Sequence, residues 1–144
     1  MPARHRSRQR ALQVLFSCDL RQQSVDDALA AYYRTLDSED EDPTPEPPDE
    51  FMEKLVRGAT DQAAAIDQRI VAKSENWRLD RMPAVDRNIL RLAVHELLWQ
   101  PDVPPKVAIN EAIELAKKFG TADSSRFING LLDRILKEHR PASA

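Results

Sequence analysis

Residues 102–135 read DVPPKVAINEAIELAKKFGTADSSRFINGLLDRI, and this stretch decides the fold. Pro104 and Pro105 mark a turn and suit the start of a helix. Val107, Ile109, Ala112, Ile113, Ala116 and Phe119 then recur at helical spacing, which predicts a helix from about 105 to 119 with these residues inward. Gly120 fits the left-handed position that closes a helix. Asp123 or Thr121 is placed to cap a last helix that turns Phe127, Ile128, Leu131, Leu132, Ile135 and Leu136 inward. Gly130 sits inside that helix, where glycine costs about 1 kcal/mol against alanine; close approach by a neighbouring helix would account for it.

The same periodicity runs back to the N-terminus. Pro83 pre-sets a helix over about 84–99, with Val85, Ile89, Leu92, Ala93, Leu97 and Leu98 inward and Leu90 and Val94 widening the apolar arc, the pattern of a central buried helix. Trp77 and Leu79 belong to a short helical segment around 75–82. Asp49 caps a long helix carrying Phe51, Leu55, Ala59, Ile66 and Ile70 on one face. Ser24 caps a helix with Val25, Ala28, Leu29, Tyr32, Tyr33 and Leu36 inward, and Ala11, Leu12, Val14, Leu15 and Cys18 form the stripe of a first helix from Arg4 to Arg21. No period-2 strand is present. The fold class is all-α, about seven helices around one core, in a single domain over residues 1–144. Residues 37–49, acidic and Pro-rich, are expected to form a mobile loop.

Composition narrows the function. With 144 residues, one Cys and three Gly, the chain is neither a disulfide-stapled fold nor a turn-rich β-sandwich. No apolar run reaches the roughly 18 residues a bilayer span needs, and the basic N-terminus is a poor signal peptide, so a cytoplasmic protein is expected. His5, His95 and His139 lie too far apart for a metal motif, and neither a Gly-rich phosphate loop nor a nucleophile elbow occurs. Neither catalysis nor a cofactor is expected.

Charge is uneven. Residues 37–50 hold eight acids and no base; removing them from the net of −3 leaves +5. Arg4, Arg6, Arg8 and Arg10 crowd the start of the first helix, where cations oppose the helix dipole by about 0.3–1 kcal/mol each. A bound polyanion would reverse that sign; a solvated basic tail is the plainer reading. The turn GTADSSRF, residues 120–127, offers backbone N–H groups, two hydroxyls, Arg126 and the Phe127 ring, a mixture suited to unpaired RNA bases. On its own residues, Phe127 reads more readily as core beside Ile128 and Leu131.

The 102–135 stretch, with DRNILRLAVHEL at 86–97 and RHRSRQRALQVLFSCDL at 4–20, resembles the NusB transcription antitermination factors, in the family's order and over about half the chain. The resemblance implies two packed helical subdomains. It implies a non-catalytic protein that pairs with NusE, a small-subunit ribosomal protein, and binds the single-stranded boxA element of ribosomal RNA leaders. The complex then joins other Nus factors on RNA polymerase to suppress termination. By position it implies phosphate contacts from Arg4, Arg6, Arg8 and Arg10, an aromatic RNA contact at Phe16, and an RNA surface of Asp123, Ser124, Arg126 and Phe127. Asp86 and Arg87 would form part of the NusE-facing surface. Phe16 lacks a tyrosine's hydroxyl, and Ser125 and Arg126 stand where the family varies. Neutralising four phosphates would give a salt slope near −3, at about −0.7 per phosphate of a single strand. The competing reading is a protein-only adaptor or homodimer. NusB-like domains also open ribosomal RNA cytosine methyltransferases; 144 residues leave no room for a Rossmann-type domain, so an intact enzyme of that kind is not expected.

Overall fold

In a computed structural model, residues 3–38, 48–74 and 78–139 are described. Among them are seven α-helices and no strand. The helices are α1 (Arg4–Arg21), α2 (Val25–Ser38), α3 (Glu50–Asp61), α4 (Ala63–Lys73), α5 (Ala84–Trp99), α6 (Pro105–Phe119) and α7 (Ser124–His139). A single 3-10 turn, Leu79–Arg81, precedes α5; Trp77 lies outside the described residues, as do 39–47 of the acidic stretch.

Helix α5 is the axis. Its Asp86, Asn88–Leu90 and Leu92–Leu97 are all buried, and it packs against α1, α3, α4, α6 and α7. Around it, Leu12, Val14, Met52, Leu55, Ile66, Ile70, Ile128, Leu131 and Ile135 form one continuous core. This burial of aliphatic surface, at roughly 25 cal/mol per Å², is the main stabilising term. Ser24 caps α2 as expected, its Oγ accepting the Asp27 N–H at 3.1 Å.

Asp49 does more than cap α3. Its carboxylate accepts the Met52 N–H at 3.0 Å, lies 2.9 Å from Ser7 Oγ of α1 and accepts from Arg10 at 3.4 Å, while its own N–H donates to the Tyr33 hydroxyl of α2 at 3.0 Å. Three helices are thus tied at one buried aspartate. Burial, with the Glu53 and Asp49 carboxylates nearby, pushes the Tyr33 phenol up to about 12.

Four local expectations are corrected. The long third helix is two helices, broken at Gln62 (φ −101°, ψ 15°), so that α3 runs along α1 and α5 while α4 turns onto α5 and α7. Gly120 is extended (φ −95°, ψ −168°), not left-handed; glycine is required there for space, because a Cβ would come 2.6 Å from Ser124 Oγ and 2.8 Å from the Ala116 carbonyl oxygen. Helix α6 is rotated from the predicted face: Ala108, Ala112, Leu115 and Ala116 point inward, while Val107 and Phe119 are exposed. Small residues on that face let α6 approach α5 and α7 closely.

Gly130 is not a close-approach site either. A Cβ there would meet only the end of the Arg134 side chain, at 3.7 Å. Gly130→Ala is therefore expected to stabilise the fold by up to about 1 kcal/mol through helix propensity, read as a raised urea midpoint with unchanged slope; an unchanged or lowered midpoint would show that the position is constrained after all.

Candidate nucleic-acid interface

The arginine-rich start of α1 divides. Arg4 and Arg6 are exposed. Arg4 is held over the Phe51 ring of α3, 4.6 Å from its centroid, a cation–π contact that fixes the guanidinium without neutralising it. Arg8 and Arg10 are buried, which corrects the expectation that both contact phosphate. Arg8 donates through Nε and an Nη to Glu96 at 2.7–3.1 Å, with Glu111 3.9 Å away, and Arg10 pairs with Asp49 at 3.4 Å. The reason is placement along the helix: one turn further in, α1 lies beneath α5 and α3, and their carboxylates receive the two guanidinium groups.

The outward face of α1 carries Arg6, Gln9, Gln13 and Phe16 at i, i+3, i+7 and i+10. A hydrogen-bonded chain ties it to α6. Lys118 Nζ donates to Gln9 Oε1 at 3.4 Å, Gln9 Nε2 meets His5 Nε2 at 3.0 Å, and His5 Nδ1 meets Glu111 at 3.0 Å. The consistent tautomer has His5 accepting from Gln9 and donating to Glu111. Beside this chain, Leu12, Gln13, Phe16, Val85 and Phe119 line an apolar groove of about 240 Å³. Phe119, exposed and capped by Lys118 at 5.4 Å, was not singled out for binding from sequence. Its signal was available: an aromatic between two lysines and a glycine.

A second groove has a volume of about 450 Å³. It is lined by Met82, Pro83, Asp86, Thr121, Asp123, Ser124, Arg126 and Phe127. Asp123 and Arg126 are exposed at its rim and Phe127 is half-buried in its wall. Ser124 is not available to read bases: it is buried, its Oγ accepting the Thr121 N–H at 2.9 Å and donating to Asp86 Oδ1 at 2.8 Å. Asp86 is likewise buried, so its carboxylate faces α7 and not a partner, which corrects the expectation for it.

Arg87 is half-buried on the other side of α5, donating to Asp19 at 2.8 Å and to the carbonyls of Leu79 and Met82. Burial alone would raise the Asp19 carboxyl. Hydrogen bonds from Arg87 and Asn88 and the charges of Arg87 and Arg91 outweigh it and hold the carboxyl below its ordinary value. Cys18 is half-buried and burial pushes its thiol up, the opposite of an activated nucleophile. Among the described residues, no group of three His, Cys, Asp or Glu is placed to hold a metal, and no helix is long and apolar enough to cross a membrane.

The family model for the NusB family matches residues 5–137. The chain belongs to the NusB family. It is 51% identical over 138 residues to a transcription antitermination protein NusB of Solibacter usitatus (strain Ellin6076), covering 96% of this chain and 91% of that one. A NusB of Anaeromyxobacter dehalogenans (strain 2CP-1 / ATCC BAA-258) is 48% identical over 139 residues, covering 96% and 94%. Among solved structures, T. maritima NusB superposes with a TM-score of 0.82 at 38% identity, covering 99% of this chain and 96% of that one. A crystal structure of antitermination factors NusB and NusE in complex with dsRNA superposes at 0.80 with 28% identity, covering 95% and 99%. The all-helical NusB fold expected from the resemblance is the one observed.

Proposed function

We propose that this NusB-family chain is a non-catalytic transcription antitermination factor that binds boxA-type single-stranded leader RNA together with NusE. In the cytoplasm, with other Nus factors on RNA polymerase, it sustains transcription of ribosomal RNA operons. The observation that carries this reading is a pair of ring-bearing grooves, lined by Phe16 with Phe119 and by Phe127, with the exposed cations Arg6 on the Phe16 face of α1 and Arg126 at the rim of the second groove. Arg4, Arg6 and Arg126 supply phosphate contacts, Phe16, Phe119 and Phe127 supply stacking, and Asp123 accepts from base edges. Arg87, on the opposite flank of α5, belongs to the NusE-facing side. The relatives' names and the NusB–NusE–dsRNA structure support the assignment.

The test is a titration with boxA-like single-stranded RNA against a scrambled strand and a duplex, with and without NusE, across salt. Tighter binding of the boxA-like strand, strengthened by NusE, is expected. With Arg8 and Arg10 internal, Arg4 and Arg6 together account for a slope of about −1.4, at about −0.7 per phosphate, which an Arg4→Gln/Arg6→Gln variant should remove. Phe127→Ala should weaken binding by about 1–3 kcal/mol while the protein stays folded. A lowered melting temperature with untouched RNA affinity would return Phe127 to the core, and a preference for duplex would replace the single-strand reading.

A further inference from the structure

We propose that Asp86 and Ser124 form a buried latch that positions the RNA-binding turn, holding Thr121–Asp123 and the start of α7 against the N-terminus of α5 so that Phe127 presents its ring to the strand. This rests on the RNA-binding reading above and gives two residues expected to touch ligands a different role. Ser124 and Asp86 are 2% and 6% exposed. The single proton of Ser124 Oγ is committed to Asp86 at 2.8 Å. The same oxygen accepts the Thr121 N–H at 2.9 Å, and because its proton is spent, the Thr121 hydroxyl at 3.1 Å must be the donor to it. The serine oxygen is therefore saturated, with one bond given and two received.

Each neighbour fits this arrangement. Asp86 lies in the first turn of α5, where the helix dipole favours a carboxylate. Gly120 leaves room for it: a Cβ would sit 2.6 Å from the very oxygen that closes the latch. Downstream, the Phe127 N–H donates to the Asp123 carbonyl at 3.2 Å, so the ring stands one turn after the residue the latch holds. Met82 and Pro83, which precede α5, line the same groove as the ring. The latch thus sets the distance between the two walls of the groove, and RNA affinity should depend on residues that RNA never touches.

The experiment uses the full chain and the RNA titration above. Ser124→Ala alone strands the Asp86 carboxylate and risks the fold. An Asp86→Ala/Ser124→Ala double variant leaves no stranded carboxylate; the Thr121 N–H and hydroxyl lose the serine oxygen, but Thr121 is exposed and both turn to water, so the variant is expected to stay folded. The double variant should lose about tenfold in RNA affinity, the equivalent of one or two hydrogen bonds, with its melting temperature near that of the parent. Asp86→Asn, whose carboxamide oxygen still accepts from Ser124, should stay within about threefold. In a Phe127→Ala background the double variant should cost less than about twofold, because the residue it positions is gone. A merely structural role would lower affinity equally in both backgrounds, and that additivity overturns the proposal, as does an unchanged affinity in the folded double variant. If Phe127→Ala itself leaves RNA binding unaltered, the RNA reading fails and the positioning role with it. Faster hydrogen exchange at the Thr121 amide in the double variant would then still report a latch of structural value only, which separates the two failures.

Discussion

Replacing Arg8 by methionine is expected to cost about 3–5 kcal/mol of folding stability, the range for removing one member of a buried ion pair. Arg8 and Glu96 are 3% and 2% exposed, and the guanidinium meets both carboxylate oxygens. Methionine fills much of the volume but leaves Glu96 charged, buried and unpaired. Burial already raises the Glu96 carboxyl above its ordinary 4.5; the hydrogen bond and charge of Arg8 pull it down, Glu111 pushes it up, and Arg4 pulls it down again. Removing Arg8 therefore raises it further.

The sign of the pH dependence follows. A carboxyl with a folded pKa above its unfolded value binds its proton more tightly in the folded state, so it favours folding below the unfolded pKa and loses that contribution as pH rises through the folded one. The Arg8→Met deficit should be largest at neutral pH and shrink as the solution is acidified toward 4.5. Urea melts at several pH values measure this, and an Arg8→Met/Glu96→Leu variant should recover most of the loss, since an apolar pair carries no stranded charge. A variant that melts like the parent but binds RNA with a shallower salt slope would instead make Arg8 a phosphate ligand, and would falsify its internal role.

Gly58→Ala should destabilise by about 3 kcal/mol, the upper end for overpacking a core, even though alanine is favoured over glycine in a helix by about 1 kcal/mol. A Cβ at Gly58 would collide with the His95 ring, 3.0 Å from Nδ1 and nearer still to Cε1 and Nε2. The ring has little freedom to retreat. It is buried, stacked on Trp99 with centroids 6.3 Å apart, and its Nε2 is hydrogen-bonded to the Gln100 carboxamide at 3.1 Å. Burial, with the Lys54 charge adding to it, pushes the imidazole pKa down, and Nδ1 has no hydrogen-bond partner among the described residues. Because the obstacle is one side chain, the effect should be strongly non-additive: in a His95→Ala background, Gly58→Ala fills vacated space and should raise stability. Thermal melts of the four proteins decide it, and a Gly58→Ala protein at least as stable as the parent would mean that the ring moves aside. Gly130, a glycine in open space, predicts the opposite sign for the same substitution.

Much of the helical pattern was legible because its causes are local. Spacing of Leu12 with Leu15, or Ile128 with Leu131 and Ile135, sets which face of a helix is apolar, and Ser24 and Asp49 marked helix starts through bonds within three residues. Periodicity could not detect the break at Gln62: Leu55 and Ile66 keep the same helical phase whether or not the axis bends between them. It also misassigned α6, because alanine and isoleucine both count as apolar while close packing selects the alanines.

The ligand face was legible only in part. Residue type announced an RNA-like surface at Arg4–Arg10 and Gly120–Phe127, and family resemblance sharpened it. Which arginines remain on that surface depended on carboxylates far away in the chain, Asp49 for Arg10 and Glu96 for Arg8, 39 and 88 positions distant. The same holds for Ser124 and Asp86, 38 apart. By itself, then, the amino-acid order determined an all-helical chain, the caps at Ser24 and Asp49, and its family. Only the tertiary structure decided which charged and hydroxyl groups are spent internally and which are left for a strand, because pairing in a low-dielectric interior is chosen by through-space proximity, and short-range sequence patterns carry no record of it.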